Sequence, residues 1–131
     1  MSYTEYAGGN TAYPVDAWLT AEHTTNAAVA SYAGGGQTNA TALAATANIV
    51  TTVASANDSV KLPLAQKGMK VLVHNGHGAN SMQVFGSGVD TINGVATATG
   101  VAQAAGKSAL YYAVADGDGT AVGAWFRVLS A

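Results

Sequence analysis

The chain of 131 residues contains no cysteine. That excludes a disulfide framework, a thiolate metal site and a cysteine nucleophile, and it leaves the redox compartment open. Charge is scarce too: Asp, Glu, Lys and Arg make up 9% of the residues, and the formal net charge is -2. A nucleic-acid surface is built from clustered Lys and Arg, which this chain lacks, so no nucleic-acid partner is expected. No run approaches the roughly 20 apolar residues of a membrane span. The opening MSYTEYAGGN has neither the basic nor the apolar segment of a secretory signal, so no membrane partner is expected either.

What is abundant is small. Hydrophobic residues form 49% of the chain, but many are alanine, which buries little area and contributes little transfer energy. One domain of this length can still bury a core without metals or disulfides, and that core is expected to be thin. A weakly charged surface rich in Ala, Gly, Ser and Thr has few of the groups that keep a free monomer soluble, which points to cover by neighbouring subunits.

Several chemical motifs are approached and missed. GVAQAAGKS (100–108) looks like a phosphate-binding loop, but the first glycine of that motif falls at Val101, and the ALYYAVA that follows reads as a strand where the motif needs a helix. DGDGT places Asp116, Asp118 and Thr120 like the start of a calcium loop, yet Ala121 stands at the obligatory glycine and Arg127 at the bidentate glutamate. It reads as a hairpin loop. His74, His77 and Asp90, with His23, offer too few fixed ligands for a structural metal site, and turn histidines are the simpler reading. No nucleophile-elbow pattern accompanies the three histidines; Gly86-Ser87-Gly88 is a flexible loop, and Glu5 and Glu22 lie in the N-terminal arm. No catalytic residue, metal or cofactor is therefore expected.

Two regions differ in texture. Residues 1–45 hold AGGN, YPVD and AGGG with aromatics between them and no sustained period, so an irregular N-terminal arm is expected, with a short helix over 22–32. Residues 46–131 switch to short β-branched runs bounded by turn residues, at 48–54, 59–65, 69–75, 81–86, 91–96, 99–104, 109–115 and 123–130. Neighbouring runs are expected to pair antiparallel, with a hairpin joining 69–75 to 81–86 through NGHGAN. Asn57-Asp58, Asn93-Gly94 and Gly106-Lys107 mark turns. The fold expected is all-β, an antiparallel sandwich of jelly-roll type.

Alternation then assigns faces. Val60, Leu62 and Leu64 share one face. Tyr112 is expected in the core with Leu110 and Val114, and Phe126 with Val128, which leaves Tyr111 and Trp125 facing outward. Together with Tyr3, Tyr6, Tyr13, Trp18 and Tyr32 of the arm, these outward aromatics are the candidate contacts to another surface.

The stretch VKLPLAQKGMKVLVHNGHGANSMQVFG, followed by TINGVA, a Gly-Lys turn and AWFRVLS, resembles small β-domain virion proteins of tailed bacteriophages, most of all capsid decoration (cement) proteins. The resemblance covers 46–131. It implies a non-enzymatic protein made in the host cytoplasm and carried on the outer capsid surface. There it would tie major capsid protein subunits together as a homo-oligomer, trimeric by preference or dimeric. The alternatives are a receptor- or glycan-binding module of a phage fibre or tail, using Trp125 and the loop 76–80, and a small β-sandwich enzyme with metal on His74 and His77.

Overall fold

The computed structural model describes residues 24–131. These form ten strands and no helix: β1 (Thr25–Ala30), β2 (Thr41–Ala42), β3 (Ala47–Thr52), β4 (Ser59–Lys61), β5 (Lys70–Asn75), β6 (Met82–Phe85), β7 (Thr91–Ile92), β8 (Val101–Gln103), β9 (Ser108–Ala115) and β10 (Ala124–Leu129). The all-β expectation holds, and each of the eight expected runs from Thr46 onward contains a strand.

The strands build two mixed sheets, one of six in the order β1-β3-β5-β9-β10-β7 and one of four in the order β2-β4-β6-β8. From β1 to β9 the chain changes sheet at every step; only β9 and β10 follow each other in one sheet. Parallel neighbours cannot be joined by a tight turn and need a crossover. Here a strand of the opposite sheet is that crossover. So β1, β3 and β5 run parallel in one sheet while β2, β4 and β6 run parallel in the other, like successive turns of a coil. β8 then lies antiparallel to β6, β9 to β5 and β10 to β9, with β7 parallel along β10.

Three expectations are corrected. Pairing is parallel at five interfaces and antiparallel at three, which is not the all-antiparallel order of a jelly roll. Turn residues mark where a chain bends, not which sheet it bends into. NGHGAN accordingly carries the chain from β5 in one sheet to β6 in the other rather than closing a hairpin. Asn80 ties that loop across to the β3–β4 connection through Nδ2, which donates to the carbonyls of Val53 (2.7 Å) and Ala54 (3.1 Å). In the described part of the stretch 22–32, where a helix is expected, the chain forms β1 instead: TNAAVA buries Val29 and pairs with β3, so tertiary pairing overrides the helix preference of its alanines. β2 likewise falls within the stretch read as arm.

Side chains from both sheets meet in one buried cluster. Val50, Val73, Tyr111 and Trp125 come from the six-stranded sheet, and Val60, Met82, Val84 and Val101 from the other. Val and Ala make up most of it. The alternation is clean on β5, where Val71, Val73 and Asn75 turn inward and Lys70, Leu72 and His74 outward. Val60 and Leu62 are buried as expected, whereas Leu64, past Pro63 and beyond the end of β4, is exposed.

A buried carboxylate ties the connections together. Asp90, fully excluded from solvent, accepts the N–H of Ala65 on Oδ2 and that of Gly123 on Oδ1, both at 2.8 Å. It thereby joins the β4–β5, β6–β7 and β9–β10 links, and the Gly117 N–H donates back to the Ala65 carbonyl at 2.9 Å. A Cβ on Gly117 would sit 2.0 Å from Asp90 Oδ1, which only glycine avoids. Removing the carboxylate leaves two buried N–H groups unpaired, each worth about 1–3 kcal/mol.

Val60→Asp should abolish the cooperative circular-dichroism melt, because an unpaired charge would enter the fully buried core. Asp90→Ala should cost about 3 kcal/mol in denaturant unfolding. Gly117→Ala should cost at least as much in the wild-type chain but little in the Asp90→Ala background, since the clash goes with the carboxylate; equal penalties in both backgrounds would refute the packing.

Candidate interaction surface

The outer face of the six-stranded sheet is unusually apolar. Register lines up Thr25, Ala47, Leu72, Leu110 and Val128 as one rung across β1, β3, β5, β9 and β10. The next rung holds Lys70, Tyr112 and Phe126, and on the other side Ile49, His74 and Ser108 align. Leu72, Val114 and Phe126 are each more than 40% exposed and Val128 is 58% exposed. The Tyr112 and Phe126 rings sit 6.0 Å apart, tilted by 41°. Only Lys70 carries a fixed charge among these outward residues. Contiguous apolar surface of this kind marks an interaction site more often than a free surface.

The strands that build this face have apolar residues on both sides, and this reverses the expected face assignment. Tyr111 and Trp125 are fully buried, while Tyr112 is half-buried and Leu110, Val114, Phe126 and Val128 face out. On β9 the inward positions read Ala109, Tyr111, Ala113, so two alanines make room for one large ring. That small-large-small pattern, and Lys70 sharing a face with Leu72 on β5, are the signals in the sequence that identify the outward face.

Burial of Trp125 leaves its indole N–H without a partner among the described residues. The unpaired donor costs about 1–3 kcal/mol. Burying some 200 Å² of ring gives about 5 kcal/mol at 25 cal/mol per Å², so the ring goes inside. Of the other expected contacts, Tyr32 forms a bridge with Ser59 and is exposed, and Tyr3, Tyr6, Tyr13 and Trp18 lie outside the described residues.

Tyr111 anchors a buried polar network. Its hydroxyl donates to Gln103 Oε1 at 2.7 Å, Gln103 Nε2 donates to the carbonyls of Val73 (2.8 Å) and Lys107 (2.9 Å), and Asn75 Nδ2 donates to the Gln103 carbonyl at 3.0 Å. Burial pushes the Tyr111 pKa up to about 12 against the opposing pull of the Arg127 guanidinium.

Among the described residues, the side chains considered for catalysis or metal binding are engaged locally; His23, Glu5 and Glu22 lie outside the described residues. His77 Nδ1 accepts the N–H groups of Ala79 (3.2 Å) and Asn80 (3.1 Å), folding its own loop. His74 Nδ1 lies 2.8 Å from Ser108 Oγ, a hydroxyl–imidazole pair that becomes a nucleophile only with an orienting acid. Each described carboxylate instead caps backbone N–H groups: Asp58 those of Gly34 and Ser55, Asp90 those of Ala65 and Gly123, Asp116 that of Lys67. Asp118 accepts from Ala121 (2.6 Å) and Thr120 (2.8 Å), which hold its carboxyl below the ordinary value. His74, His77 and Asp90 are not brought together, and no group of three or more metal-ligating side chains occurs among the described residues.

No known protein family, curated protein or solved structure matches the chain.

Because the fold raises the Tyr111 pKa, its contribution to stability is complete below the unfolded value near 10 and lost as the pH climbs toward about 12. Ultraviolet titration should show one tyrosine resisting ionisation after the others. Tyr111→Phe should remove that late step and cost about 1–3 kcal/mol by leaving Gln103 Oε1 unpaired; a late step that survives the substitution would assign it elsewhere.

Proposed function

We propose that this chain is a non-enzymatic structural protein of a bacteriophage virion. It decorates the outer capsid surface and bridges major capsid protein subunits as a homo-oligomer, with a trimer preferred over a dimer. The two sheets close on one core as a β-sandwich whose job is adhesion rather than chemistry. The observation that carries this reading is the outer face of the six-stranded sheet, where Leu72, Leu110, Phe126 and Val128 meet solvent with Lys70 as the one fixed charge. Exposing such a face is unfavourable for a free molecule, and burying it against a neighbour removes apolar area from water at roughly 25 cal/mol per Å² before the entropic cost of docking.

The order of turns and strands from Val60 onward, which resembles cement proteins, supports the same reading. The glycan-binding alternative loses its Trp125 platform, since that ring is buried.

Added to assembled capsid lattices of the encoding phage, the purified protein should bind and raise their disruption temperature. Phe126→Ser and Leu72→Ser together should weaken binding at least about tenfold, or about 1.4 kcal/mol, while the melt of the free protein persists. Wild-type protein that leaves the lattice unbound and its disruption temperature unmoved would overturn the proposal.

A further inference from the structure

We infer that Asn93-Gly94 is a self-modification site: Asn93 loses its amide to become aspartate or isoaspartate, and the isoaspartate form unlatches β7 from β10. The chemistry is open to any asparagine followed by glycine, whose nitrogen no Cβ shields. The Gly94 nitrogen attacks Asn93 Cγ, the Cγ–Nδ2 bond breaks, and Nδ2 leaves as ammonia with the proton that the Gly94 nitrogen gives up. Water then opens the resulting cyclic imide at either carbonyl. The main chain runs on unchanged in the aspartate product and through Cβ and Cγ in the isoaspartate product.

Two asparagines of the chain precede glycine, Asn75 and Asn93, and the fold treats them oppositely. Asn75 is fully buried. Its Nδ2 donates to the carbonyls of Asn80 and Gln103, both at 3.0 Å, and its Oδ1 accepts the His77 N–H at 3.1 Å. The nucleophile is occupied as well, because the Gly76 N–H donates to the Val50 carbonyl at 2.9 Å. Attack at Asn75 therefore waits for those bonds to open together.

Asn93 and Gly94 are both exposed, at the centre of the turn that brings Ile92 to Val95, with φ of 53° and 75°. No backbone acceptor among the described residues takes the Gly94 N–H, and a Cβ on Gly94 would meet nothing within 4 Å, so the nitrogen has room to swing onto Cγ. The Arg127 N–H donates to Asn93 Oδ1 at 2.9 Å. A donor on that oxygen draws electron density from Cγ and stabilises the oxyanion that attack creates. Attack takes Asn93 out of its left-handed conformation, and the opening is local, since β7 is held to β10 through Thr91 and Ile92 alone. Two Asp-Gly pairs share the spacing without the same readiness. The Gly117 N–H is taken by the Ala65 carbonyl, and the Thr120 and Ala121 N–H groups hold the Asp118 carboxyl ionised, the form that resists a nucleophile.

The turn is also what fastens β7 down. The Asn93 N–H donates to the Trp125 carbonyl at 2.8 Å, and the Val95 N–H closes the turn on the Ile92 carbonyl at 2.9 Å. Aspartate keeps the acceptor for Arg127. Isoaspartate does not, because the carbonyl that met Arg127 becomes part of a longer main chain, and a tight turn built on two left-handed residues no longer closes. The edge of β10 is then bared, and a bare edge is a template for another strand. No enzyme is needed and water does not reverse the loss of ammonia, so the site records the age of each molecule.

Trypsin releases residues 71–107 as one peptide that holds both pairs. After incubation of the folded protein at mildly alkaline pH, fragment masses should place a gain of about one mass unit on Asn93 at a rate at least about tenfold above that on Asn75, and an isoaspartyl methyltransferase should label the same peptide. In urea-unfolded protein the two asparagines should convert within a few-fold of each other. Asn75 converting as fast as Asn93 in the folded chain, Asn93 remaining intact while the unfolded chain converts, or a tenfold preference that persists in urea overturns the inference. By hydrogen exchange, the Arg127 and Val95 amides should exchange several-fold faster in the isoaspartate form and at the wild-type rate in Asn93→Asp. Protection unchanged in the isoaspartate form would overturn the unlatching.

Discussion

Two parallel strands that lie side by side cannot be linked by a tight turn, and the architecture follows from how this chain meets that constraint. With no helix among the described residues to serve as the crossover, the return path is a strand in the opposite sheet. Every link from β1 to β9 must therefore pass from one sheet to the other, and backbone polar groups at those passages lose water. The buried polar side chains sit at the passages or at the strand ends beside them. Asp58 serves the β3–β4 link, Asp90 three links at once, and Asn75 and Gln103 close the ends of β5 and β8. A chain with so few charges places all of its described carboxylates on backbone N–H groups, and that of Asp90 satisfies donors buried away from water.

The same constraint sorts the large apolar residues. The space between the sheets is filled mostly by Val and Ala, with Tyr111 and Trp125 as the aromatic members of the cluster. Leu72, Leu110, Phe126 and Val128 are left on the outside of the six-stranded sheet. A sheet with one solvated face normally alternates apolar and polar residues. Here both faces are apolar on β9 and β10, and the outer one behaves as a surface awaiting a cover. The proposed adhesive role rests on these strands.

Much of this was legible in the sequence and some was not, for identifiable reasons. β-branched runs and turn residues located the strands from β3 onward, and Asn93 and Gly94, both with positive φ, form the tight turn their identity suggests. Val60 and Leu62 are legible as core because apolar and polar residues alternate along the sequence SVKL. The faces of β9 and β10 were inverted because ALYYAVA and AWFRVL satisfy either orientation by hydrophobicity alone. What decides them is volume: the alanines at 109 and 113 flank Tyr111, and Gln103 meets its hydroxyl. Strand partners were illegible for a different reason. NGHGAN has the composition of a hairpin, and nothing local distinguishes a bend within a sheet from a passage between sheets. The alanines of β1 likewise favour a helix until β3 is present to pair with.

The winding of the first six strands also sets how such a molecule could have grown. β3 begins 22 residues after β1, β4 begins 18 after β2, β5 begins 23 after β3, and β6 begins 23 after β4. Each such length lays one strand on each sheet and returns the chain to its starting phase. A duplicated stretch of one period would lengthen both sheets together without disturbing the terminal β9–β10 hairpin, whereas an insertion of half a period would send every later strand to the wrong side. The insertions this winding accommodates are therefore whole turns.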